Sequence, residues 1–150
     1  MPPSEPATDV VPAADILAGI AEAVVYADRG GVIRAWNAGA TEVFGFSADE
    51  AVGRSLDLII PERFRAAHWR GFDAAIERGA TAGGRQARLT RGTHRDPDRV
   101  LYVEMSFAVV TAPDGSASGA VAVARDVTER QLREREERKR REAAAPTPEG

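Results

Sequence analysis

The sequence predicts an α+β domain, an antiparallel sheet with helices packed on one face. Three observations carry that prediction. Two β-type runs near the start are joined by a glycine turn. A block of short capped helical segments and one longer helix follows. Three further β-type runs then close the ordered part of the chain. Strands at both ends with helices between them suit a layered arrangement with the helices gathered on one side of the sheet.

The chain has 150 residues, enough for one domain. Residues 1 to 14 are rich in Pro, Ala and Ser without periodicity and are expected to form a disordered lead. Asp15 is expected to cap a short helix, DILAGIAEA. VVYAD and VIRAW then read as a hairpin around Arg29-Gly30-Gly31. Asn37 caps AGATEVFG, which Gly45 ends, and Ser47-Ala-Asp-Glu50 has the spacing of a capping box, closed by Gly53. Pro61 stands at the first position of a longer helix that runs to Arg78 and stops at Gly79. On that helix Phe64, His68, Phe72, Ala75 and Ile76 share one face, so the imidazole points with the apolar side chains.

The last third is β. RQARLTRG is a strand. In VLYVEMSFAVV the residues Leu101, Val103, Met105, Phe107 and Val109 share a face. Ala112-Pro-Asp-Gly115 is a turn, GAVAVARDV is the final strand, and Asp126-Val-Thr-Glu129 has capping-box-like spacing with Asp as the cap. Residues 128 to 142 form a charged helix whose only large apolar residue is Leu132. It lacks the repeated apolar seam of a coiled coil and reads as solvated rather than as a docking surface. Residues 143 to 150 are a second disordered tail, and tail-like ends are those expected of a complete small protein.

Composition narrows the function. The net charge is −3, so no broad basic surface points to a nucleic-acid partner. No apolar run approaches the roughly 20 residues of a membrane span, and the start lacks the basic and apolar regions of a secretory signal. The expected location is cytoplasmic. There is no cysteine, which excludes disulfides, thiolate metal sites and any cofactor attached through a thiol. No nucleophile–base pair, paired carboxylates, phosphate loop or kinase motif is present, so the chain is not expected to be an enzyme.

The segments GVIRAWNAGATEVFGFSADEAVGRSL and VLYVEMSFAVVTAPDGSASGAVAVARDVTER resemble the PAS domain family. The resemblance covers roughly residues 15 to 132, with the sensor domain placed at 15–127 and 128–142 as its output helix. It implies a five-stranded antiparallel sheet, helices wrapped over one face with a pocket between, and an Asp126-Val127-Thr128-Glu129 exit that couples the sheet to the output helix. Members sense, dimerise or bind small molecules. The light-sensing members that use a cysteine at the chromophore are excluded here, and no residue set argues for a non-covalent flavin.

Within the family, PERFRAAHW is similar to the matching segment of FixL-type oxygen-sensing haem domains. That likeness implies His68 as proximal iron ligand. It also implies that Arg88, twenty residues further on, reaches over the iron or a propionate, and that Met105 and Phe107 wall the distal side. With Phe64 and Phe72 beside His68, these make the cofactor-binding set. The likeness breaks at Ala74, Ala82 and Gly83, where the oxygen sensors carry polar or larger groups, so propionates would fall to Arg85 or Arg78. Imidazole suits iron, yet a lone histidine on an apolar face is also a common structural residue. Trp69 lies off the apolar stripe and is read as packing against a strand edge or a second subunit, Trp36 as core, and His94 as exposed.

Two functions follow. One is a small sensory protein, a homodimer, that binds haem b non-covalently, senses a diatomic gas (O₂, CO or NO) or redox state, and signals to a separate protein. The other is a cofactor-free module for dimerisation or protein docking, through the sheet face or the helix at 15–23.

Overall fold

The computed structural model describes residues 12–81 and 86–146. The helices are α1 (Ala13–Gly19), α2 (Ala38–Phe44), α3 (Ala48–Ala51), α4 (Glu62–Arg78) and α5 (Thr128–Ala144). The strands are β1 (Ala23–Asp28), β2 (Ile33–Trp36), β3 (Arg88–Thr93), β4 (Val100–Thr111) and β5 (Ala117–Asp126). They form one five-stranded sheet in the order β2-β1-β5-β4-β3, with every neighbouring pair antiparallel. A 3-10 turn over Leu56–Ile59 was not anticipated; it is too short to show a period.

Strand alternation sorts the sheet into two faces. Ala23, Val25 and Ala27 of β1, Ile33 and Trp36 of β2, Leu101, Val103 and Met105 of β4, and Ala122 and Ala124 of β5 are buried in one cluster. Val43, Phe44, Leu56, Ile59 and Phe72 from the helical layer complete it. The final strand alternates Ala inward with Val outward over 120–124. These small inward side chains on a central strand leave space below α4.

Local capping sets the element ends. Asn37 accepts from the Ala40 N–H at 2.9 Å to start α2, and Gly45 ends it in the left-handed region at φ 82°. Ser47 and Glu50 form a full capping box on α3. Gly79 ends α4 at φ 76°. Pro61 occupies the cap of α4 rather than its first helical position. Two expectations at the chain ends are corrected. Asp15 does not cap α1: Pro12 stands there, and Asp15 lies in the first turn, where its charge suits the positive end of the helix. The helix also stops at Gly19, because Ala23 is already drawn into β1. At the other end Val127 holds the cap position of α5 without a side-chain bond. The Asp126 carboxylate instead accepts from the Thr128 N–H at 3.0 Å and hydroxyl at 2.6 Å.

α1 buries no side chain. It is held by Asn37, whose Nδ2 donates to the carbonyls of Leu17, Ile20 and Glu22 at 3.1, 3.3 and 3.0 Å, while Oδ1 accepts from the Val24 N–H at 2.8 Å. α5 likewise buries nothing and carries i,i+4 ion pairs such as Arg140–Glu136 at 3.0 Å. Only its first turns meet the sheet. No helix among the described residues is long and apolar enough to cross a membrane. His94 is half-buried rather than exposed. Its ring lies over Gly45, where an added Cβ would meet Cε1 at 2.6 Å, and its Nδ1 accepts from the Asp96 N–H at 3.0 Å.

Candidate functional site

One side of α4 is pinned and the other spans a gap. Trp69 donates from Nε1 to Asp57 Oδ1 at 2.8 Å, and its ring covers Gly31 so closely that a Cβ there would stand 2.1 Å from Cη2. Gly31, at φ 77°, is therefore fixed by both backbone and contact. Trp69 thus packs on the β1–β2 turn of its own chain. Beyond this contact, α4 bridges over β3, β4 and β5.

The gap holds two adjoining cavities, of about 400 and 390 Å³. His68, Phe72, Arg88, Met105, Phe107 and Ala120 line both. The inner lobe extends to Val25, Ala27, Leu56, Ile59 and Phe64; the outer lobe extends to Ala74, Ile76, Arg78, Thr81, Gln86 and Val109. No acidic side chain among the described residues lines either lobe. All six residues named from the sequence meet at the inner lobe: Phe64, His68 and Phe72 through helical spacing, Met105 and Phe107 through alternation. Arg88 joins them because it pairs in register with Met105. Ala82, Gly83 and Arg85 lie outside the described residues.

His68 is the most unusual group in the site. Its ring stands 4.9 Å from Trp69 and 5.9 Å from Phe72, and its Nδ1 is shut from solvent with no hydrogen-bond partner. Buried polar atoms are nearly always bonded, so an orphan among apolar walls asks for a partner. Burial pushes the imidazole below its ordinary value, against the opposing pull of Asp57 and Asp73. The neutral ring, the form that ligates metals, is favoured. A ligating histidine usually donates its second N–H to a carbonyl or carboxylate, and that support is missing at Nδ1. Among the described residues no group of three or more His, Asp or Glu side chains is placed to hold a bare metal ion. The side chain of Arg88 makes no hydrogen bond or ion pair among the described residues. A neutral imidazole, apolar walls, a free guanidinium and lobes within the roughly 300–1,000 Å³ of small-molecule sites fit a flat apolar cofactor with acidic groups.

A second cluster, not foreseen from the sequence, lies on the opposite face. Arg91, one register step from the cavity-facing Thr90, places its guanidinium 4.9 Å from the centre of the Tyr102 ring; Arg135 of α5 approaches the same ring at 5.0 Å. The Tyr102 N–H donates to Thr128 Oγ1 at 2.9 Å, and its carbonyl accepts from the Val127 N–H at 2.9 Å. Arg130 of α5 pairs with Glu104, and Arg99 lies 3.7 Å from Asp126. Only the alternation of β3 hinted at this cluster, since its other members are distant in sequence.

The family model described as the PAS fold matches residues 17–132. Among solved structures, a PAS domain from Colwellia psychrerythraea is 22% identical with a TM-score of 0.67, covering 77% of this chain and 94% of that one. An RNA-binding light-oxygen-voltage receptor is 20% identical with a TM-score of 0.65, covering 91% of this chain and 40% of that longer protein. The PAS domain of a LuxR-family transcriptional regulator from Burkholderia thailandensis, in complex with ethanol, is 13% identical with a TM-score of 0.60, covering 79% and 99%. These likenesses concern the fold.

Proposed function

This chain belongs to the PAS family of sensory domains, and from that premise we propose that it senses through haem b. The haem sits non-covalently in the cavity beneath α4 with His68 on the iron, and a cytoplasmic homodimer reports a diatomic gas or redox state to a separate protein. The observation that carries the reading is the half-buried His68 imidazole, whose Nδ1 is shut from solvent without a partner and whose neutral form burial favours, beside an apolar cavity of cofactor size. Bound haem supplies the iron at which a gas molecule is taken up. The chain's own residues do the rest. Met105 gives the space opposite α4 a buried apolar wall, the part-exposed Phe107 borders it, and Arg88 offers donors to a polar group in the same space or pairs with a carboxylate.

Output follows from β3. This edge strand carries Arg88 inward and Arg91 outward, so a shift that follows Arg88 moves Arg91 against Tyr102. Tyr102 in turn holds the base of α5 through its backbone and its ring. The half-buried Val110, Val121 and Val123 on the outer sheet face are the surface a homodimer would cover. The same outer face, together with Ile16 on α1 at 51% exposure, favours the second reading, a cofactor-free interaction module.

Absorption spectra after hemin addition test the choice. A sharp Soret band that moves with dithionite and with CO, and is lost in His68→Ala, is the expected result. The same spectrum in both proteins removes His68 from the iron. No specific band at all leaves the interaction module.

A further inference from the structure

We infer that Met105 is a peroxide-reactive modification site: its thioether takes one oxygen from a hydroperoxide that enters the cavity, and the neighbouring Arg88 guanidinium assists the step and then holds the sulfoxide. The inference is independent of haem and needs no iron. The chain has no cysteine and two methionines, and Met105 carries the one sulfur among the described residues. A core methionine is ordinarily a filler of irregular space. Two features set this one apart. The first is its place. Met105 is 8% exposed, yet it lines both lobes, which open partly to solvent and are wide enough for molecules the size of water. Hydrogen peroxide is little larger. Along the inward face of β4 the residue stands between Val103, fully buried, and Phe107, 40% exposed, so its sulfur lies where the core gives way to the cavity.

The second feature is its neighbour. Arg88 faces Met105 across the β3–β4 pair and lines the same lobes, while on the other flank β5 offers only the methyl group of Ala124. Directly opposed residues bring their Cβ atoms to about 5 Å, within reach of two long side chains. Arg88 is exposed at the rim and makes no hydrogen bond or ion pair among the described residues. In the step, a sulfur lone pair attacks one peroxide oxygen. The S–O bond forms as the O–O bond breaks, sulfur gives up two electrons, and the second oxygen departs with them. The proton left on the sulfur-bound oxygen passes through solvent to the departing one, so the products are the sulfoxide and water, or an alcohol from an alkyl hydroperoxide. A guanidinium beside the breaking bond donates to the developing anion. The product oxygen is polar, and in a sealed core it would be desolvated without a partner; here Arg88 supplies the donor. The packed sheet closes one side of the thioether, so peroxide from the cavity meets one of its two lone pairs and a single sulfoxide epimer forms. Oxidation turns an apolar wall of the cavity polar, and sulfoxide reduction restores it.

The full chain, with no hemin added, is treated with hydrogen peroxide beside N-acetylmethionine amide. Mass spectrometry of the digest follows the gain of one oxygen at Met105, and epimer-selective sulfoxide reductases applied to the digest read its configuration. Met105 is expected to react within about tenfold of the free compound, because no unfolding is required. One epimer is expected in roughly tenfold excess or more. Arg88→Gln is expected to slow the reaction about fivefold or more, with its far-UV circular dichroism unchanged. A slower parent, an equal mixture of epimers, or Arg88→Gln reacting as the parent does overturns the inference. Its failure is separable from that of the haem reading. A His68-dependent hemin band without reaction at Met105 keeps the haem and loses this site, and reaction at Met105 without that band does the reverse.

Discussion

Ala120→Ile fills the cavity from the sheet side and separates its two roles, empty space and ligand site. Ala120 lines both lobes and sits on central strand β5 opposite Ala27 and Val109. The substitution adds three carbons, worth at most about 2.4 kcal/mol at ~0.8 kcal/mol per buried methylene. The lobes open partly to solvent, so about half of that, ~1 kcal/mol, is the expected gain. Overpacking would cost about 1–3 kcal/mol if the space were already filled, but a lobe of about 400 Å³ accepts three carbons without displacing Phe72 or Met105. Isoleucine also suits a strand. In urea unfolding the ligand-free variant should gain about 1 kcal/mol, a rise of ~2–4 °C in melting temperature for a chain of this size. The parent should gain about 2.7 kcal/mol from a ligand at a hundred times its dissociation constant, and the variant almost none. A variant destabilised by more than about 1 kcal/mol without ligand would show that the space is already occupied by packed atoms. Undiminished ligand stabilisation would show that binding occurs elsewhere.

Two further predictions concern the frame and the titrating group. Asn37→Ala should cost roughly 3 kcal/mol in urea unfolding, about 1 for the lost cap of α2 and the rest for the stranded Val24 N–H and the carbonyls before β1. Asn37→Asp keeps the acceptor but turns a buried carboxylate oxygen toward the three carbonyls, so it should cost at least as much, and a smaller loss would show that those carbonyls contribute little. For His68, burial lowers the folded pKa below 6.5, so the unfolded chain takes up the proton first. The stability tied to this group is complete above pH 6.5 and is lost as pH falls from there through the folded value. Urea titrations of the parent and His68→Gln between pH 7.5 and 5 should differ by that extra acid-side slope in the parent. His94, also lowered by burial first, remains in both and cancels. Parallel curves would mean that His68 is solvated as a cation.

Local chemistry made most elements legible and long-range contact hid the rest. Asn37, Gly45, Ser47, Glu50 and Gly79 announce helix ends through bonds within a few residues, and each stands at the end it marks. Asp15 misled because α1 starts two residues earlier, at Ala13 behind Pro12, while at the other end β1 pairing claims Ala23 and the helix stops at Gly19. Along α4 and β4 the periods of 3.6 and 2 brought Phe64, His68, Phe72, Met105 and Phe107 to one space. The two-lobed form of that space depends on the alanines of β5, whose smallness matters only once α4 is laid across them. Trp69 on Gly31, His94 over Gly45 and Tyr102 between Arg91 and Arg135 join residues far apart in the chain, and no local pattern marks them.

The seat of Trp69 gives the chain a built-in optical gauge. It is one of two tryptophans. Trp36 is buried, with Nε1 held by Thr41 Oγ1 and the Phe46 carbonyl, both at 3.1 Å. Trp69 stands edge-on to His68 with ring centres 4.9 Å apart. Protonation of that imidazole, or a ligand without absorption of its own in the tryptophan emission range arriving beside it, changes the nearest neighbour of one indole and leaves the surroundings of the other as they were. Light emitted by Trp69 therefore registers what occupies the cavity, with Trp36 as an internal reference, and no dye need be attached.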